Sequence, residues 1–138
     1  MIERLEEVRR SLAGRASVTY QREVVFWALL DKEPMSMNQL IEICIEQGID
    51  RASVYRTVTL FEKLGIVQRL QIGWKYKLEL SDSFQRHHHH LTCLKCGRMI
   101  PFDEDPALEK KLLQIARAEK FTMQGHQLEI QGLCQDCR

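Results

Sequence analysis

Asp50-Arg-Ala-Ser-Val-Tyr-Arg-Thr-Val-Thr-Leu-Phe-Glu-Lys-Leu-Gly65 is the stretch that decides the fold. Val54, Val58, Phe61 and Leu64 recur at intervals of three or four, the period of one helix face. Asp50 is a natural N-cap, because its carboxylate can accept an otherwise orphaned backbone N–H, and Gly65 is a natural stop. Working back toward the N-terminus, Ser36 caps an earlier helix that turns Leu40, Ile41, Cys44 and Ile45 inward and stops at Gly48. Thr19 caps another, whose apolar stripe of Val24, Val25, Trp27, Ala28 and Leu29 runs up to Pro34. Ile2 to Leu12 makes a first helix, with Leu5, Val8 and Leu12 on one face and an end at Gly14. Working forward, Ile66 to Leu70 and Lys75 to Leu80 alternate in character around Ile72-Gly73, a hairpin signal. Helix, short turn, helix, hairpin is a winged helix-turn-helix.

The 138 residues suffice for one ordinary domain or two small ones. With 44% hydrophobic and 28% charged residues the composition is that of a globular chain with a core to bury. No apolar run reaches the roughly 18 residues of a membrane span, and the opening MIERLEEVRRSLAG alternates charges where a signal peptide would be apolar. A cytoplasmic location without membrane attachment is therefore expected. Basic residues number 20 against 19 acidic, so bulk charge says nothing for or against nucleic acid. A polar joint, Ser81 to Arg86, separates the winged module from a second half that begins with four histidines. There, short strands flank a C-x-x-C turn, Pro106 opens a helix with Leu108, Leu112, Leu113, Ile115 and Ala116 on its apolar side, and Gln127 to Gly132 returns as a strand. The expected class is α+β: a winged helix-turn-helix domain over 1–82, then a small α/β domain over 83–138.

Four of the five cysteines form two C-x-x-C knuckles, Cys93 with Cys96 and Cys134 with Cys137. In a reducing compartment such pairs point to metal or redox chemistry before staples. Together they supply the tetrahedral S4 set that Zn²⁺ accepts, and a site whose four positions are all filled by protein is structural. Cys44 stands alone on an apolar helical stretch and reads as a small core residue. His87 to His90 lie on a strand, where alternate side chains face opposite ways. One run can thus serve two metal sites, with His87 and His89 facing one way and His88 and His90 the other; Glu109 and His126 are candidates to complete one face and Glu79 the other.

The helix after Asp50 is the candidate recognition helix, since the second helix of a helix-turn-helix enters the major groove N-terminal end first. Arg51, Ser53, Tyr55, Arg56 and Thr57 crowd that end. Arg can pair with guanine or clamp phosphate, and a tyrosine ring can lie against a thymine methyl. The competing classes are a zinc hydrolase and a thiol redox sensor. No H-E-x-x-H, nucleophile elbow or phosphate loop is present to support an enzyme, whereas oxidation of the C-x-x-C pairs is chemically open.

With these residues laid out, the sequence resembles the ferric uptake regulator family of metal-responsive transcriptional repressors over nearly its whole length. The resemblance rests on Ala52-Ser-Val-Tyr-Arg-Thr57, His87-His-His-His-Leu91, Cys93-Leu-Lys-Cys-Gly97, Gly125-His126 and Gly132-Leu-Cys-Gln-Asp-Cys137. It implies a homodimer that grips double-stranded DNA at an A·T-rich palindromic operator and dimerises through its C-terminal domain. Carried over by position, Cys93, Cys96, Cys134 and Cys137 fall on the family's structural zinc ligands. His87, His89, Glu109 and His126 fall on a second site within the dimerisation domain, and His88 and His90 on the regulatory site at the hinge. Iron and peroxide sensors add a histidine before the third helix and an acid after the wing's aromatic residue, where this chain has Pro34 and Lys77. Zinc sensors use a ligand slightly further along the wing, where this chain has Glu79. The resemblance thus implies a regulatory divalent ion, Zn²⁺ ahead of Fe²⁺ or Mn²⁺, with iron or peroxide sensing as the alternatives.

Overall fold

The computed structural model describes residues 2–138. Its chain divides into two compact units, Met1–Arg86 and His87–Arg138. The first contains α1 (Ile2–Leu12), α2 (Tyr20–Leu29), α3 (Met37–Glu46), α4 (Arg51–Lys63), β1 (Val67–Ile72) and β2 (Lys75–Leu80). Each of the three inner helices starts at the polar cap expected of it. The Thr19 hydroxyl accepts from the Arg22 N–H, Ser36 and Gln39 form a reciprocal capping box, and an Asp50 carboxylate oxygen accepts from the Ser53 N–H at 3.0 Å. Phe26, Leu29, Leu40, Ile41, Val54, Val58, Phe61, Ile66 and Leu78 meet in one buried core, which Val8 and Leu12 of α1 join. The side chain of Leu5 lies outside what is described.

The hairpin β1–β2 is antiparallel, with Val67 opposite Leu80 and Ile72 opposite Lys75. Its turn is Gly73-Trp74, one residue later than Ile72-Gly73. Gly73 takes a φ of 57° that a β-branched isoleucine would resist, and the Gln71 side-chain amide donates to the Gly73 carbonyl at 2.9 Å. Met35, just ahead of α3, exchanges two backbone hydrogen bonds with Leu78, which ties the hairpin to the helix-turn-helix. α2 ends at Leu29, short of Pro34, and Asp31 leaves it with a φ of 53°. The unit extends past 82 to Arg86. Phe84 packs edge-on against Phe26 at 5.5 Å, so the apolar residue of the joint is drawn into the first core.

The second unit contains β3 (His88–Cys93), β4 (Met99–Asp103), α5 (Pro106–Ala118) and β5 (Glu129–Gly132). Strand order is β4-β3-β5, with β3 antiparallel to β4 and parallel to β5. The β3–β4 turn is the first C-x-x-C knuckle, where Gly97 takes a φ of 73°. The last strand begins at Glu129, two residues after Gln127, where its pairing with His90 starts. Asp105 caps α5 by accepting from the Ala107 and Leu108 N–H groups. No residue of α5 is buried, so its apolar side is not consumed within the single chain.

Candidate metal centres and nucleic-acid interface

The two C-x-x-C knuckles arrive from opposite ends of the second unit. β3 carries Cys93 to its end, the turn presents Cys96, and the segment after β5 brings Cys134 and Cys137 alongside, with the Leu94 N–H donating to the Gly132 carbonyl at 2.8 Å. All four sulfurs lie within 4.8 Å of one another, and Cys96 Sγ stands 3.8 Å from Cys134 Sγ. Four sulfurs placed tetrahedrally about 2.3 Å from an ion are about 3.8 Å apart, so the spacing fits zinc. The knuckle backbones point N–H groups at Cys93, among them Cys96 and Cys134, and hold its thiol down at about 6. Cys137 is pushed up to about 12, first by its hydrogen bond with Cys134, then by burial and by Cys93 and Cys96. Four thiols crowded together cannot all ionise without a cation among them. Cys44 is buried on α3, where burial raises its thiol, and takes no part.

The alternation expected of the histidine run is present. His87 and His89 rings lie 4.7 Å apart on one side, and His88 and His90 rings 4.6 Å apart on the other. On the first side three imidazoles converge on one carboxylate from α5. Glu109 Oε1 is 2.7 Å from His89 Nε2 and 3.6 Å from His87 Nε2, Glu109 Oε2 is 3.1 Å from His126 Nε2, and His87 Nε2 is 3.2 Å from His126 Nε2. Donors about 2.0–2.1 Å from a tetrahedral ion stand about 3.3–3.4 Å apart, within the span of these separations. Three Nε2 atoms and a carboxylate facing one point form a donor set of the type that holds a divalent ion. Burial pushes the Glu109 carboxyl up, but the His89 hydrogen bond and the charge of His126, His87 and His89 outweigh it and hold it below the usual range.

On the other side, His90 Nδ1 lies 3.5 Å from Glu129 Oε1, and the Thr92 hydroxyl donates to Glu129 Oε2 at 2.8 Å. Glu129 was not foreseen. Its signal lay in register alone, because the parallel pairing of β5 puts Glu129 directly opposite His90. Glu79 stands on β2 of the first unit, opposite Gln68, whose side-chain amide donates to it at 2.7 Å.

On α4, Arg51, Tyr55 and Arg56 are exposed at the N-terminal end, with Ser53 half-buried. Thr57 departs from the expected role: it is buried, because the core-facing stripe of α4 includes its position beside Val54, Val58 and Phe61. It contributes to the floor of a polar recess lined by Thr19, Gln21, Arg22, Ser53, Arg56 and Leu60. Arg56 donates to the Ser53 hydroxyl at 3.0 Å, which in turn donates to Asp50 at 2.6 Å, so the guanidinium is held at the helix start. Arg22 and Gln21, from the first turn of α2, join this surface although their sequence context reads as ordinary helix. Only tertiary packing places them beside α4.

Comparison with known proteins gives a consistent result. Residues 15–131 match the model of the ferric uptake regulator family. The ferric uptake regulation protein of Campylobacter upsaliensis is 31% identical over a 145-residue alignment that covers 99% of this chain and 88% of that protein. Among solved structures, the Vibrio cholerae ferric uptake regulator superposes with a TM-score of 0.74 at 30% identity, covering 94% of this chain and 98% of its own. The Pseudomonas aeruginosa ferric uptake regulator solved with manganese gives 0.79 at 28% identity, covering 98% and 99%.

Proposed function

The chain belongs to the ferric uptake regulator family, and from that premise we propose that it is a zinc-responsive repressor binding an A·T-rich palindromic operator as a homodimer. The family's members are metal-responsive, dimeric DNA-binding transcription regulators and not enzymes. Among the described residues no helix is long and apolar enough to cross a membrane. The observation that carries the reading is the splitting of one histidine run into two faces at the start of β3, with Glu109 and His126 converging on the His87–His89 side.

In this reading Cys93, Cys96, Cys134 and Cys137 hold a structural Zn²⁺ that pins the chain's last residues to β3. His87, His89, Glu109 and His126 hold a second ion within the dimerisation domain. His88, His90 and Glu79 hold the sensed ion. Three nitrogen and oxygen donors leave a fourth position for water, which suits four-coordinate zinc better than ions that prefer six ligands. Zinc also outranks iron and manganese in intrinsic affinity for such donors. Arg51, Tyr55 and Arg56 read or clamp the duplex in the major groove, with Arg22 and Ser53 beside them on the phosphates. The sensed ion and the operator favour one arrangement of the protein, so each raises the affinity of the other by the same factor.

A second reading, iron response, is favoured by the name of the curated relatives, which are ferric uptake regulation proteins. A metal series separates the two. Protein retaining its thiolate-bound zinc is titrated with Zn²⁺, Fe²⁺ or Mn²⁺ against an A·T-rich palindromic duplex at fixed salt, and affinity is read by anisotropy. Zinc response requires tight binding at low free zinc and a loss of that dependence in His88→Ala/His90→Ala. Tight binding driven by Fe²⁺ at concentrations where Zn²⁺ is ineffective overturns it in favour of iron.

A further inference from the structure

α2 carries more apolar surface than the core consumes. Val25, Phe26 and Leu29 are buried, while Tyr20, Val24, Trp27 and Ala28 recur at the offsets of a second helix face. Between that face and Ile43 of α3, with Gln47 just after it, lies a groove of about 420 Å³, within the size range of small-molecule sites. Ala28 keeps its floor low, because its side chain is a single methyl. The groove shares no residue with the metal-binding clusters or with the recess beside α4.

The walls are fixed before anything enters. Trp27 stands edge-on to Phe26 with ring centroids 5.6 Å apart, and the Tyr20 hydroxyl donates to the Gln47 carbonyl at 3.4 Å, which ties the first turn of α2 to the end of α3. Both rings remain open to a ligand, Trp27 half-buried and Tyr20 59% exposed. Aromatic walls already held in place cost little to order, and another ring packs well against them.

Charge selects the occupant. Among the described residues one charged side chain lines the groove, Lys32. α2 ends at Leu29, Asp31 turns with a φ of 53°, and the Lys32 N–H donates back to the Leu29 carbonyl at 3.4 Å, so the lysine leaves a tight turn instead of continuing the helix. Asp31 and Glu33 flank it in sequence but line no part of the groove. An apolar cleft with two aromatic walls and one ammonium complements a flat apolar body with one negative charge. An extended peptide would bring backbone N–H and C=O groups that Val24, Ala28 and Ile43 cannot satisfy.

We propose that the groove between α2 and α3 binds a small aromatic carboxylate, its ring against Tyr20 and Trp27 over Ala28 and its carboxylate on Lys32. The chain has two tryptophans, so Trp74→Phe leaves Trp27, a wall of the groove, as the sole indole reporter. Zinc-loaded full-length Trp74→Phe protein is titrated with 4-phenylbutyrate, whose lone benzene ring does not absorb where indole is excited, and in parallel with the uncharged 4-phenylbutanamide. The expected result is a saturable change in Trp27 emission with a midpoint on the order of 1 mM, as suits a ligand of about 12 heavy atoms. The acid is expected to bind about threefold more tightly than the amide, the size of an exposed ion pair.

In the same background Lys32→Gln is expected to erase that preference while leaving the amide's midpoint and the melting temperature unchanged. Ile43→Ala is expected to weaken both probes alike. Trp27 emission that neither probe changes up to about 50 mM overturns the proposal, as do midpoints that Ile43→Ala leaves untouched. Equal binding of acid and amide by the Lys32 protein overturns it too, and so does a preference for the acid that survives Lys32→Gln, because the carboxylate then sits elsewhere. An emission change that follows protein concentration with no probe present assigns the groove to a second copy and overturns it as well.

Discussion

The cysteine and histidine clusters are chemically distinct at the level of single atoms. The sulfurs are spaced for bonds near 2.3 Å and the imidazole and carboxylate donors for bonds near 2.0–2.1 Å, so the two sets fit different coordination shells. The knuckle backbones hold the Cys93 thiol down at about 6 while the neighbouring sulfurs push Cys137 up to about 12, so the set favours a bound cation. Cys96→Ser is expected to lose the structural zinc and to lower the melting temperature of the second unit; metal analysis and a thermal melt check both. Against the opposing effect of burial, the His89 hydrogen bond and the charge of His126, His87 and His89 hold the carboxyl of Glu109 below the usual carboxylate range. Its folded pKa is depressed, so its stabilisation is complete above the ordinary carboxylate range and is lost as pH falls through the lower folded value. Glu109→Gln is expected to flatten the acid limb of melting temperature against pH below about pH 4.3, the ordinary value for a glutamate. Glu129 faces the Nδ1 side of the His90 ring at 3.5 Å, where it can orient the imidazole if His90 takes a metal as proposed. Glu129→Ala is expected to weaken metal binding at His90 about tenfold or more, the usual cost of losing a carboxylate behind a ligating imidazole, as isothermal titration would read.

Helices and strands show where local signals suffice. The capping box at Ser36 satisfies two orphan donors reciprocally, and Ser36→Ala is expected to cost about 1 kcal/mol in chemical denaturation without affecting metal content. β3 shows what a period of two can do: the same four residues offer imidazoles to opposite sides, so His87→Ala/His89→Ala and His88→Ala/His90→Ala are expected to remove different ions. α5 is the element whose amphipathic pattern outruns its burial. Leu112 and Leu113 are half-buried and Ile115 is exposed, while Leu91, Ile100, Ile130 and Leu133 of the sheet region are exposed too. These apolar side chains are left uncovered by the rest of the single chain.

For the whole molecule, the operative quantity is the coupling between metal and DNA. Reciprocity requires that the factor by which the sensed ion tightens operator binding equal the factor by which operator tightens the ion. Metal titrations of free and operator-bound protein measure both sides of that equality. In His88→Ala/His90→Ala the factor is expected to fall to one, with the structural zinc and the dimer retained. Unequal factors at equilibrium mean that some other ligand or assembly step takes part.

Caps, periods and spacings determined a great deal by themselves, because they act between residues close in the chain. The helix starts at Thr19, Ser36 and Asp50, each C-x-x-C knuckle and the alternation of the histidine run are all local patterns. Tertiary structure decided what depends on partners remote in sequence. Phe84 moved the unit boundary by packing on Phe26, Thr57 was claimed by the core stripe of α4, and Glu129 reached His90 only because β5 runs parallel to β3 in one particular register. Arg22 and Gln21 joined the surface of α4 for the same reason. Packing and strand register are set by the burial of a whole face at once, and no local stretch of chain carries that information.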